Sequence, residues 1–302
     1  MRRPELDDAC PCGSSKLVRE CECLRPDGRL LPPEVKVSAV IGAVRKHKHP
    51  KCFASAMANC STKISREHFI SRRLIREIEK TYLPGQRMQV GGFPWQSPDQ
   101  LQEVSPSALA SKVLCERHNN SLSPLDSVGG SFFRAFHQIH NDFHSNPTPR
   151  QYYLFNGHDV ERWLLKTLFG VIASGSTNNV PRDTRPPKDY LDCLFQGERL
   201  PSSWGLYLLT QAGKREASGG VRFATICDGR VVHGLLVDIL AFRFVLAIHA
   251  IPEKAGLLVD SVNRPDCLHF RCGKSKKEAV ILLGWDVQRD GGTVEIAAGL
   301  DP

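Results

Sequence analysis

Cys52, Cys60, Cys115 and His118 are the residues whose types and spacing speak most directly of chemistry. Seven residues separate the first two and two separate the second pair, enough for a Cys₃His site that pins two distant chain segments around one tetrahedral Zn²⁺. Between the pairs an acidic residue, Glu67, stands next to a histidine, His68, and Asn119 follows the last zinc ligand directly. Asparagine offers a hard oxygen donor, so a second and different metal could be held beside the zinc.

A second group lies near the amino terminus. Cys10, Cys12, Cys21 and Cys23 form two Cys-x-Cys pairs that can supply four thiolates to one zinc ion, with Gly13 and the serines after it allowing the tight turn. The run Cys10-Pro11-Cys12-Gly13-Ser14-Ser15-Lys16 resembles the SEC-C motif, a short zinc-binding module. In that family the fourth ligand directly follows the third, whereas here Glu22 intervenes. The resemblance implies a docking or nucleic-acid-associated accessory and not a catalytic unit.

Residues 52 to about 133 resemble the zinc-stapled HNH endonucleases, which have a ββα-metal fold. Glu67-His68 matches the family's acidic-His pair. Leu114-Cys115-x-x-His118-Asn119 matches the element that opens its helix, and Leu122 to Asp126 resembles the tail of HNH-like bacterial proteins. The seven-residue gap after Cys52 is longer than the family's two, and Ala110 stands where its middle asparagine is expected. The resemblance implies phosphodiester hydrolysis, with DNA as the expected substrate, His68 as general base and Glu67 and Asn119 as ligands of a catalytic Mg²⁺ or Mn²⁺. The chemistry is coherent: the ion neutralises charge developing on the phosphate and leaving oxygen, and a neutral imidazole activates water. A zinc-stabilised fold that binds nucleic acid or docks a protein without cleavage, with His68 merely a satisfied polar residue, accounts for the same zinc ligands.

The charge distribution fits a polyanionic partner. Residues 1–90 hold 18 Lys and Arg against 10 Asp and Glu, and the rest holds 22 of each, so the whole excess of +8 sits in the first third. Arg45, Lys46 and Lys48 precede Cys52, while Arg66, Arg72 and Arg73 flank Glu67-His68; all six are candidate phosphate contacts. A solvated basic face is the plainer reading of the same charges.

Several elements must position these residues. An extended run over Thr62–Phe69 carries Glu67-His68, and a helix over Ser71–Lys80 has Leu74, Ile75 and Ile78 on one face. Residues 107–115 read as helical or extended, and apolar positions 132–143 recur at helical spacing. Asp159 is expected to cap a helix over Val160–Ala173. From Trp204 the period becomes that of strands, at 204–209, 221–227, 231–240, 242–251, 267–272, 279–285 and 293–297. The expected class is α+β: a zinc motif over 1–30, an HNH-like domain over 45–133, a helical bridge over 134–200 and a mostly antiparallel β-domain over 201–302.

Of the 302 residues, 11 are cysteines, an odd number, and seven of them lie before residue 116 in tight pairs. This suits metal ligation in a reducing compartment better than a disulfide framework. No apolar run approaches the ~20 residues of a membrane span, and the amino terminus lacks an apolar signal core, so the expected setting is cytoplasmic.

Overall fold

The computed structural model describes residues 3–37, 46–82, 86–91, 93, 96–97, 100–144, 150–177, 180–209, 221–240, 242–251, 258, 260–272, 277–287 and 292–297. Arg45 and Trp95 lie outside the described residues. No helix among the described residues is long and apolar enough to cross a membrane.

The first strand, β1 (Ile64–His68), leads into α1 (Arg72–Glu79), where the Ser71 side chain caps the helix by accepting from Leu74 N. A short hairpin, β2 (Gln89–Val90) with β3 (Gln102–Glu103), follows. Strand β4 (Ala110–Cys115) then returns antiparallel to β1, and α2 (Glu116–His144) begins at the next residue. Two antiparallel strands and a helix thus join Glu67-His68 to the Cys115–Asn119 segment. The β1–β4 register shifts between Ser65 and Glu67. The extra residue lies on β4, where Lys112 and Val113 stand opposite Arg66, so β1 keeps its alternation, with Glu67 buried and Arg66 exposed.

Beyond α2 come β5 (Arg150–Asn156), α3 (Gly157–Ser174) and α4 (Lys188–Gln196). Asn156, and not Asp159, caps α3: its Oδ1 accepts from His158 N and Asp159 N. Asp159 sits in the first turn, where its carboxylate accepts from Val35 N at 2.8 Å and pairs with Arg162 at 3.0 Å. The reason is local: β5 runs straight into the helix, so the cap falls on the strand's last residue.

The remaining strands are β6 (Gly205–Leu209), β7 (Val221–Asp228), β8 (Val231–Ile239), β9 (Phe242–Ala247), β10 (Ser261–Asn263), β11 (Cys267–Cys272), β12 (Lys277–Gly284) and β13 (Thr293–Ala297). One sheet has the order β10-β6-β9-β8-β7, antiparallel throughout. The second has the order β13-β11-β12-β5. Its central pair is antiparallel, while β13 and β5 join parallel to their neighbours. Sequence periodicity anticipates seven of these strands; it misses β5 and β10. The partner of β5, strand β12, lies more than a hundred residues away, and no local pattern announces that pairing.

Every residue of α3 from Gly157 to Ala173 is buried. A single cluster of buried side chains runs from Val37 through α2, α3 and α4 to Val294. Helix α3 is held tightly against its neighbours. A Cβ at Gly129 of α2 would lie 2.2 Å from the Trp163 ring, and one at Gly170 would lie 3.3 Å from Phe69 Cα.

Replacing a mid-helix glycine by alanine ordinarily stabilises by about 1 kcal/mol. Gly129→Ala should instead lower the melting temperature, because the methyl overlaps the Trp163 ring and overpacking costs about 1–3 kcal/mol. A raised melting temperature would contradict the α2–α3 packing. The α1–α2 contact makes a pH prediction. Hydrogen bonds from Arg134 on α2 outweigh burial and hold the Glu77 carboxyl at about 2, below its ordinary 4.5. Because the folded value is the lower one, the contact stabilises fully above pH 4.5 and its contribution fades as pH falls toward 2. Glu77→Gln should therefore flatten the loss of stability across that window in acid titrations followed by circular dichroism.

Candidate zinc clusters and the adjoining carboxylate site

The ligand atoms of Cys52, Cys60, Cys115 and His118 all lie within 4.8 Å of one another, and all four residues are buried. His118 Nδ1 stands 3.3 Å from Cys52 Sγ, 3.3 Å from Cys115 Sγ and 3.8 Å from Cys60 Sγ. Zn–S and Zn–N bonds set at tetrahedral angles give an N–S edge of about 3.5 Å, so these distances fit zinc. The other ring nitrogen, Nε2, donates to Asn59 Oδ1 at 2.7 Å, which leaves Nδ1 as the free ligand atom. Cys115 ends β4 and His118 falls in the first turn of α2, so the strand-to-helix junction supplies half the donors. The other half comes from the loop before β1, where Cys60 N donates to His47 O.

Without a cation these groups would disturb one another. Contacts with Cys115 and Cys60, followed by burial, push the Cys52 thiol far up, while contacts from Cys52 and Cys60 pull Cys115 far down against its burial. Burial alone would lower His118, but Cys115 and Cys60 outweigh it and raise it to about 9. A metal ion that replaces the protons resolves this crowding.

Cys10, Cys12, Cys21 and Cys23 also gather within 4.8 Å, with Cys12 and Cys21 sulfurs 3.6 Å apart. The inserted Glu22 is exposed and does not prevent Cys23 from joining. Gly13 makes its turn at φ +81°, a conformation that side chains disfavour. Burial pushes Cys10 up to about 12, whereas at Cys21 hydrogen bonds from Ser14 and Cys23 overcome burial and bring it down to about 6. This head packs on the second sheet through Leu154 and Leu282, and Leu154 N donates to Pro11 O at 3.2 Å. Both clusters are compatible with structural zinc, and among the described residues no other such group occurs.

Next to the Cys₃His cluster, Asn119 of α2 lies close enough to the buried Glu67 carboxylate of β1 to favour its charged form. His68 follows at the strand end, half-buried. Burial first, then the nearby Arg72, lowers its pKa below 6.5, so its imidazole is neutral at neutral pH. Arg66, Arg72 and Arg73 are all exposed; Arg66 donates to Ser107 O and Arg73 to Ser127 Oγ. Lys46 and Lys48 are exposed beside the Cys₃His cluster, on either side of His47.

Two residues join this set that spacing alone does not select. Lys166 reaches from α3 to place its Nζ 2.7 Å from Glu67 and 2.6 Å from Asp126 of α2. Burial acts to lower Lys166, but Glu67 and Asp126 outweigh it and raise its pKa; burial raises Glu67 against the pull of the ammonium. Phe53, Phe69, Ser71, Thr167 and Gly170 close around the group and leave no room for a water molecule. The signal for Lys166 in the sequence is a cation within the apolar run Trp163–Phe169 of α3, although nothing there names its partners.

His137 and His140 are half-buried on α2, their rings 6.3 Å apart, and among the described residues no group of three metal ligands includes them. His269 lies buried in β11, so the Cys267–Cys272 run is a strand. A comparison with protein families, with curated proteins and with solved structures finds no match for this chain.

If the two clusters hold zinc, the purified protein should carry two zinc ions per chain. Cys115→Ser should lose one of them and lower the melting temperature by on the order of 10 °C, because the β4–α2 junction loses its anchor. Cys12→Ser should lose the other. Two zinc ions retained in Cys115→Ser, by elemental analysis, would refute the Cys₃His assignment.

Proposed function

We propose that the chain is an HNH-type endonuclease that hydrolyses phosphodiester bonds, most simply in DNA. The observation that carries this reading is the convergence of Glu67, His68 and Asn119 beside the Cys₃His cluster, on two antiparallel strands and the helix that follows. Glu67 and Asn119, joined by Asp126, would hold Mg²⁺ or Mn²⁺, which when bound would neutralise charge on the scissile phosphate. His68, with its neutral imidazole at the edge of the site, would take the proton from the attacking water. The exposed guanidinium groups of Arg66, Arg72 and Arg73 would seat the flanking phosphates. The basic first third of the chain supports a polyanionic partner.

A second reading is a zinc-stapled protein that binds nucleic acid without cutting it. Lys166 favours this reading, since its ammonium already neutralises the Glu67 and Asp126 carboxylates. The amino-terminal zinc motif would serve either reading as a docking element.

The protein with Mn²⁺ or Mg²⁺ should nick supercoiled plasmid, and His68→Ala should reduce nicking by at least about a hundredfold, the usual weight of a general base. Equal nicking by His68→Ala would remove His68 from the mechanism. Salt-sensitive DNA binding with no nicking in either ion would select the second reading.

A further inference from the structure

We infer that Lys166 is a built-in cation that competes with a divalent ion for Glu67 and Asp126, so that the ion enters only as the ammonium leaves. The inference rests on the reading of Glu67 as an ion ligand and adds a residue and a constraint to it.

The geometry makes the two cations mutually exclusive. Lys166 Nζ lies 2.7 Å from one carboxylate and 2.6 Å from the other, the spacing of charge-assisted hydrogen bonds. Mg²⁺ would sit about 2.0–2.1 Å from the same oxygens and within the same notch. Two positive centres so close would repel strongly, and the enclosed space has no room even for a water molecule. Nor can α3 withdraw as a body to make room. Gly170, one turn after Lys166, lies against the Phe69 backbone, and Trp163, one turn before, lies against Gly129. Only the Lys166 side chain itself can yield, and it is 5% exposed.

The two carboxylates come from different elements, β1 and α2, and the cation from a third, α3. An ammonium on a flexible stem is a point charge that can swing aside. A phosphodiester seated by Arg66 and Arg72 would bring negative charge to the mouth of the site, where either a bound divalent ion or a displaced ammonium would answer it.

The experiment is Mn²⁺ binding to the zinc-loaded full chain, read by electron paramagnetic resonance, which needs no catalytic turnover. Mn²⁺ prefers oxygen donors, so the cysteine-rich clusters do not obscure the signal. Lys166→Met, which keeps most of the side-chain volume and removes the charge, should bind Mn²⁺ at least about tenfold more tightly than the unsubstituted protein. Adding Asp126→Asn to that variant should cancel the gain. Unchanged or weaker Mn²⁺ binding in Lys166→Met overturns the inference, as does a gain that survives Asp126→Asn.

Should Lys166→Met unfold on its own, its melting is followed with added Mn²⁺ beside the charge-free triple variant Lys166→Met, Glu67→Gln, Asp126→Asn. Recovery of a folded state by Mn²⁺ in the single variant alone supports the inference. A single variant that stays unfolded in Mn²⁺ while the triple variant folds overturns it. Absence of nicking in all variants would count against the endonuclease reading and leave the competition for the carboxylates intact.

Discussion

A helix buried on every side has to satisfy its own polar side chains before anything can be packed around it, and α3 carries five ionisable residues in its first ten positions. Each finds its partner on a different part of the chain. His158 meets Asp286 at 2.7 Å, Asp159 takes Val35 N and Arg162, Glu161 meets Arg264 at 2.7 Å, and Lys166 meets Glu67 and Asp126. Such pairs add little net stability, because desolvation consumes most of their attraction, but losing one partner strands a charge at about 3–5 kcal/mol. Their main effect is therefore specificity: the apolar face of α3 would accept several packings, and the charges accept one.

Several of those pairs connect the rest of the molecule to the candidate site. The Cys₃His cluster joins the end of β4 and the first turn of α2 to the loop before β1, which places Asn119 near Glu67. Lys166 then ties that assembly to the central helix, and Arg264 and Asp286 tie the same helix to the carboxy-terminal strands. Alternation along β1 decides which side each of its residues faces. It buries Glu67 with the ammonium while leaving Arg66 exposed and His68 half-open. The Cys₃His cluster, the carboxylates and the basic rim thus lie close together in the fold.

Much of this is legible in the sequence. Ligand spacing alone grouped Cys52, Cys60, Cys115 and His118, and also the four amino-terminal cysteines, because thiolates at such intervals have few other uses. Period-two patterning located seven strands, and all of them but β7 carry a buried face. The α1 amphipathic stripe was equally local. What escaped was non-local. Strand β5 was hidden because its hydrogen-bonding partner is β12, and the α3 cap shifted to Asn156 because β5 runs directly into the helix.

The sequence by itself determined the ligands, the local elements and the excess of positive charge near the amino terminus, because residue type, spacing and periodicity are properties of short stretches. Only the tertiary structure decided that Lys166 would stand between Glu67 and Asp126. A lysine in an apolar helix must pair with something when buried, but which carboxylates it meets depends on how α3 crosses β1 and α2. That crossing is set by close contacts at Gly129 and Gly170 between residues tens of positions apart. The partner of a buried charge is a fact of packing, and packing is long-range.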